Sequence, residues 1–95
     1  MVIVTCIVEL DLPDVFSLKE KRSILKPIVT RMPRKFRVAV AEVDRQNVWN
    51  SAVICVVAVG NNERHLKGMM EKVILWIEHE RPDAPIGSYS IESIY

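Results

Sequence analysis

The chain has 95 residues, of which 49% are hydrophobic, and its 13 basic and 12 acidic side chains leave a formal net charge of +1. This length predicts a single domain covering residues 1–95, large enough to bury a core. It contains no apolar run of the roughly 18–20 residues that a membrane-spanning helix needs, so we expect no membrane partner. The start also lacks the basic segment of a signal peptide, which favours a cytoplasmic location.

The charges are distributed unevenly along the chain. Residues 17–37 hold eight basic residues and one acid, whereas the rest holds five basic and eleven acidic residues. A basic surface of this size is typical of polyanion-binding proteins, although a charged helix can also serve only to keep a protein in solution. The candidate polyanion-binding residues are Lys19, Lys21, Arg22, Lys26, Arg31, Arg34, Lys35 and Arg37.

The first predicted elements are a strand over residues 2–12 and a helix over residues 18–32. In the strand, apolar side chains alternate between two faces. Ser17 is a good N-cap for the helix, and Glu20, three residues later, completes a capping box. Pro33 predicts the exit from the helix. Lys21 falls inside the apolar arc of this helix, so we expect its stem to lie along the core while its ammonium reaches water.

The second half of the chain predicts two strands, a helix and a last strand. Residues 36–43 alternate β-branched and small side chains, and residues 51–59 are almost continuously apolar, which is typical of a central strand. Residues 60–62 form a turn and helix cap, and apolar periodicity then predicts a helix over residues 63–80. The last strand is expected over residues 86–95.

This order, βαββαβ, predicts an α+β fold, the ferredoxin-like sandwich. It has a four-stranded antiparallel sheet of order 4-1-3-2 with two helices on one face. Nothing in such a fold covers the second face of the sheet, and an exposed apolar face usually marks an interface. We therefore expect a homo-oligomer, a dimer or higher. The predicted interface residues are Ile3, Thr5, Ile7, Ala39, Ala41 and Val43.

No motif in the sequence indicates catalysis. Cys6 and Cys55 lie in apolar strands and are expected to be buried free thiols, although a disulfide between them is an alternative. His65 and His79 stand roughly 21 Å apart along one helix, too far to share a metal ion. The acids that pair up on strand faces, such as Glu9 with Asp11, lack any sign of a cleft. We therefore expect no metal site, no cofactor and no enzymatic activity.

RNA-recognition modules share this fold but stack bases on aromatic residues of the first and third strands. Neither strand carries an aromatic residue here. Nucleic-acid binding would therefore use phosphate contacts from the basic helix. Trp49, in the turn between the second and third strands, could stack on a base, but a tryptophan there more often pins a hairpin against the core.

The segment Ser17-Leu18-Lys19-Glu20-Lys21-Arg22, the strand ending in Ala41-Glu42-Val43, and Trp49 together resemble the YlxP-like family of small bacterial proteins, a domain of unknown function. The resemblance covers essentially the whole chain. It implies a ferredoxin-like fold in a bacterial cytoplasmic protein. Genes of that family tend to lie near genes for translation initiation and ribosome maturation, which implies RNA or ribosome association. The resemblance implies no catalytic residues.

Three hypotheses follow from the sequence. The first is a non-catalytic module that binds ribosomal or other RNA through the basic helix. The alternative is a homo-oligomeric module that recognises a protein or a small ligand through its open sheet face. A minor alternative is a hydrolase for phosphate esters or acyl phosphates, which the same fold supports elsewhere but which lacks a phosphate-binding loop here.

Overall fold

The computed structural model describes all residues, 1–95. Four strands and two helices follow each other in the predicted order βαββαβ. Neither helix is long and apolar enough to cross a membrane. The elements are β1 (Val2–Asp11), α1 (Leu18–Phe36), β2 (Ala39–Asp44), β3 (Ser51–Gly60), α2 (Glu63–Glu80) and β4 (Ile86–Ser93).

The four strands form one antiparallel sheet of order β2-β3-β1-β4, which is the predicted order 4-1-3-2 counted from the other edge. The two apolar strands lie in the centre, as their composition predicts. β1 and β3 pair along their whole lengths, from Val2 opposite Gly60 to Asp11 opposite Ser51. The expected ferredoxin-like sandwich is therefore confirmed.

The core lies between one face of the sheet and the two helices. The even-numbered residues of β1 from Val4 to Leu10 are fully buried there. They pack in one cluster with α1 residues such as Met32 and α2 residues such as Ile77. The odd-numbered residues of β1 point to the opposite face, which no other element covers, and Ile7 is 42% exposed there. We call this uncovered surface the open sheet face.

Helix α1 begins as predicted but extends four residues further. The Ser17 hydroxyl accepts a hydrogen bond from the Glu20 N–H at 3.1 Å. Pro33, expected to mark the exit, lies inside the helix, which continues to Phe36 because that side chain packs edge-on against the Trp76 ring, 5.9 Å between centroids. Proline removes one hydrogen bond, and this packing favours the helix beyond it. The helix ends at Arg37, a left-handed cap with φ 55° whose N–H donates to the Pro33 carbonyl.

Lys21 is the one charged side chain in the core, and it is only 2% exposed. Its ammonium does not reach water as expected. It donates to the carbonyl oxygens of Arg45 and Val48, at 2.6 and 2.7 Å, and lies 2.7 Å from a carboxylate oxygen of Glu42. Two of its three protons are thus hydrogen-bonded to carbonyl oxygens, and the Glu42 carboxylate compensates its charge. The interaction fastens the first turns of α1 to β2 and to the turn that follows it.

The turn between β2 and β3 is held by this ammonium rather than by its tryptophan. Trp49, expected to pin the hairpin against the core, is 49% exposed. Arg45 adopts a left-handed conformation with φ 58°, and its carbonyl accepts from the Val48 N–H as well as from Lys21. An aromatic anchor is therefore unnecessary, because the backbone carbonyls of the turn already have a buried donor.

We expect replacement of Lys21 by methionine to lower the free energy of unfolding by about 3 kcal/mol, since breaking a buried ion pair leaves uncompensated polar groups behind. Methionine retains most of the apolar stem. Lys19→Met is the matched control, because Lys19 is exposed on the same helical turn and should change stability by less than about 0.5 kcal/mol. Urea denaturation measures both variants, and equal stabilities would contradict this account of Lys21.

Candidate functional site

The predicted basic surface lies along α1, but Lys21 is not part of it. Lys21 is enclosed by its three oxygen partners and is not available to a ligand. Lys19, Arg22 and Lys26 are exposed and follow one another along the first half of the helix. Arg31 is exposed but committed within the fold, because it forms an ion pair with Glu80 at 3.0 Å and lies over the Trp76 ring.

The second half of α1 contributes to a basic groove between the helices. The two helices pack antiparallel, so that Arg31 meets Glu80 near the end of α2 while Lys35 to Arg37 lie beside its first half. There Lys35 and Arg37 face Arg64 and Lys72 across a depression of about 490 Å³. We call this depression the inter-helix groove. Its lining consists of Lys35, Phe36, Arg37, Arg64, His65, Gly68, Met69 and Lys72.

No carboxylate lines the inter-helix groove, so its four permanent cations have no acidic neighbour in the lining. Arg37 is placed by the left-handed cap that ends α1. Lys35 lies over the Phe36 ring, 5.8 Å from its centroid, which is within the range of a cation–π interaction. On α2, Arg64, Gly68 and Lys72 are spaced four residues apart and therefore share one helical face. Their common face lies toward the end of α1.

Arg64 and Lys72 were not predicted as site residues, because charge counted along the chain singles out residues 17–37 alone. The spacing of Arg64, Gly68 and Lys72 places two cations and a glycine on one face of α2, and this was the available signal. What the sequence does not give is the register of α2 against α1. Only that register brings these two residues to Lys35 and Arg37.

The open sheet face carries the other predicted set of residues. Ile3 and Thr5 are half-buried on it, while Ile7, Ala39 and Ala41 are exposed. Val57 and Val59 of β3 continue the apolar surface beside Ile3 and Thr5. Val43 belongs to this set only in part, because the register of β2 on β3 shifts between Glu42 and Asp44. Val43 is the extra residue of that bulge and is 48% exposed.

The two thiols are free and lie on opposite faces of the sheet. Cys6 is fully buried on the helix side, and burial, with the nearby Glu71 carboxylate, raises the pKa of its thiol to about 11. Cys55, expected to be buried, is half-buried on the open sheet face because no element covers it. Residues on opposite faces cannot form a disulfide without rearranging the backbone.

The carboxylates considered for acid–base chemistry are engaged in structural contacts. Glu42 pairs with Lys21, as described above. Glu9 accepts a hydrogen bond from Ser88 and pairs with Arg45 at 2.7 Å. The Ser88 hydroxyl, followed by the Arg45 guanidinium, lowers the pKa of the Glu9 carboxyl below its usual range. A carboxylate held in the ionised state on an exposed strand is not suited to donate a proton at neutral pH.

Comparison with known proteins supports the fold and the family. A designed protein with a ferredoxin fold, solved by solution NMR, superposes with a TM-score of 0.63 over 100% of this chain and 87% of the designed chain, at 12% identity, which bears on the fold alone. The uncharacterised protein YlxP of Bacillus subtilis (strain 168) is 34% identical over 65 residues, which cover 68% of this chain and 71% of that protein. The family model described as protein of unknown function (DUF503) matches residues 3–91. The chain therefore belongs to the DUF503 family, which the resemblance to YlxP-like proteins had indicated.

Proposed function

We propose that this protein is a non-catalytic module that binds RNA, with ribosomal RNA as the first candidate, by contacting phosphates through the basic surface of its two helices. The observation that carries the proposal is the inter-helix groove, where Lys35, Arg37, Arg64 and Lys72 meet without a carboxylate in the lining. Four like charges held together are unfavourable for the free protein unless an anion or salt reduces their repulsion. A phosphate backbone supplies such anions in series.

The basic surface continues from the groove along α1 and is long enough for several phosphate contacts. Arg37, the cap of α1, stands eighteen positions after Lys19, which corresponds to about 27 Å along the axis. Arg34 lies between Lys26 and the groove along α1 and is exposed. A ligand following this surface would contact backbone phosphates in series, and those contacts fix position without reading sequence. The absence of aromatic residues from the central strands also favours backbone contacts over base stacking.

The inter-helix groove is tested by charge reversal at Lys72. We expect Lys72→Glu to weaken binding to a labelled ribosomal RNA fragment by about fivefold at low salt and to reduce the salt slope by about one unit, since one phosphate contact is lost. Fluorescence anisotropy at several salt concentrations measures both quantities.

Lys67→Glu is the matched control for Lys72→Glu. It makes the same charge change on the same helix, but Lys67 lies outside the groove lining and pairs with Glu63. Equal losses in the two variants would mean that net charge rather than the groove governs binding. Equal affinity for duplex DNA of the same length would contradict the choice of RNA.

The first half of α1 is tested separately. We expect the double substitution Lys19→Glu, Arg22→Glu to lower the salt slope by about two units, since two exposed cations would no longer contact phosphates. Fluorescence anisotropy at several salt concentrations measures this slope, and thermal unfolding checks that the variant remains folded. A variant that keeps the affinity and the salt slope of the original chain would remove this part of α1 from the proposed surface.

Self-association is the second candidate function, and the uncovered open sheet face favours it. Val59 is 66% exposed opposite Ile3, and Ile7 is 42% exposed further along β1, although both strands lie in the centre of the sheet. Burial of such a surface against a second copy would remove apolar area from water at roughly 25 cal/mol per Å². The two candidates are compatible, because a dimer would present two basic surfaces.

We expect Ala39→Glu to shift a dimer toward the monomer, since a carboxylate placed on the open sheet face would lose its hydration in the interface. Sedimentation velocity over a range of concentrations measures the shift. Leu75→Glu is the matched control, because Leu75 is an exposed apolar residue on the outer side of α2. A chain that remains monomeric at high concentration would contradict self-association. A rate of Cys55 thiol labelling that does not change with protein concentration would contradict it as well.

A further inference from the structure

We propose that the outer edge of β2 binds an extended acidic peptide of a partner protein, which adds to the sheet as a fifth strand and lies against α1. The site is a groove between α1 and β2 of about 410 Å³, separate from the inter-helix groove. We call it the edge groove. Its lining is Arg22, Leu25, Lys26, Val29, Val40, Ala41 and Glu42. This binding would be a second activity, and it does not depend on RNA binding.

The backbone of β2 supplies the hydrogen bonds for such a strand. β2 lies at the edge of the sheet and pairs with β3 alone. In an antiparallel pair every second residue directs its N–H and C=O away from the partner strand, so one side of Ala39–Asp44 has unpaired groups. An extended peptide can satisfy these groups in the way that strand-adding recognition domains do.

The side chains of the edge groove supply an apolar contact. Val40 and Glu42 point to the helix side of the sheet, opposite the partners Val56 and Ile54. Val40 is half-buried there, and Leu25 and Val29 of α1 form the facing wall. A strand added next to β2 would direct alternate side chains into this groove. An apolar residue at one of those positions would cover the exposed part of Val29.

The charges at the rim select the partner. Arg22 and Lys26 are exposed, and neither forms an ion pair within the fold. The only carboxylate in the lining belongs to Glu42, which the Lys21 ammonium already compensates at 2.7 Å. The two cations lie one turn apart, about 6 Å along the axis of α1. Alternate residues of a strand lie about 6.7 Å apart, so acids at positions i and i+2 match this spacing.

The same charges disfavour a second copy of this chain as the occupant. Antiparallel pairing of two β2 strands about a two-fold axis would place both α1 helices on the same side of the joined sheet. Arg22 and Lys26 of one copy would then approach Arg22 and Lys26 of the other, and like charges at a rim suppress association. The apolar lining likewise suits a peptide side chain better than a phosphate. An acidic peptide satisfies both the rim and the lining.

Two fluorescein-labelled heptapeptides, Thr-Glu-Thr-Glu-Thr-Val-Thr and its reverse sequence, test the proposal for both strand directions. We expect one of them to bind, and to shift and protect the backbone amides of Ala39–Asp44 in NMR spectra and hydrogen exchange. The same peptide with lysine in place of glutamate should bind at least about tenfold more weakly, since each exposed ion pair contributes up to about a factor of five. In an added strand, only every second peptide N–H points toward β2. Methylation of the odd-numbered or of the even-numbered peptide nitrogens should therefore abolish binding in one case and not in the other.

Charge exchange provides the decisive control. We expect the double variant Arg22→Glu, Lys26→Glu to bind the lysine peptide in preference to the glutamate peptide, which a misfolded variant could not do. Lys72→Glu should leave peptide binding unchanged, which separates this site from the inter-helix groove. The proposal is overturned if neither glutamate peptide binds at about 1 mM, a weak limit for a specific contact. Protection of the β2 amides in a peptide-free dimer would assign the edge to a second copy and overturn it equally.

Discussion

The buried ammonium of Lys21 is the contact that holds the start of α1 against β2 and the turn that follows it. It joins residues that are far apart in sequence, since its three oxygen partners come from Glu42, Arg45 and Val48. By fixing the start of α1 against β2 and its turn, it sets the width of the edge groove beside Arg22 and Lys26. A buried charge is costly unless it is paired and hydrogen-bonded, and Lys21 has one ion pair and two hydrogen bonds.

A single basic helix thus serves three purposes in this fold. Lys21 points inward and holds the hairpin, while Arg22 and Lys26 border an apolar groove. Beyond them the helix reaches α2, where Lys35 and Arg37 join Arg64 and Lys72. Charge counted along the chain treats these residues as one patch. The helical period and the packing of the second helix divide the patch between the edge groove and the inter-helix groove.

Much of the fold could be predicted because its signals are local. The Ser17 cap is a contact between residues close in sequence, and it can be predicted from their identities. A continuous apolar run such as β3 predicts a strand at the centre of the sheet. The features that were predicted wrongly depend on contacts between distant segments. Helix α1 passes Pro33 because Phe36 packs on Trp76, and Val43 is displaced by a bulge that depends on pairing with β3.

The site was predictable to a smaller extent, for the same reason. Exposed cations such as Lys19 and Arg22 follow from helical periodicity alone. The partners of Lys21 do not, because a lysine in an apolar arc can reach water or a buried acceptor, and only the position of the β2–β3 turn decides between them. The contribution of α2 to the inter-helix groove required its register against α1, which no single segment of sequence encodes.

Gly68 shows how the inter-helix groove is kept empty. It lies in the middle of α2, has no positive φ, and a Cβ built on it would meet no atom within 4 Å. Neither backbone conformation nor close packing therefore requires glycine here, although glycine weakens a helix by about 1 kcal/mol relative to alanine. The helix is less stable than it could be at the one position where a longer side chain would fill the groove. This trade of stability for open volume is what a binding site, rather than a solvated surface, would require.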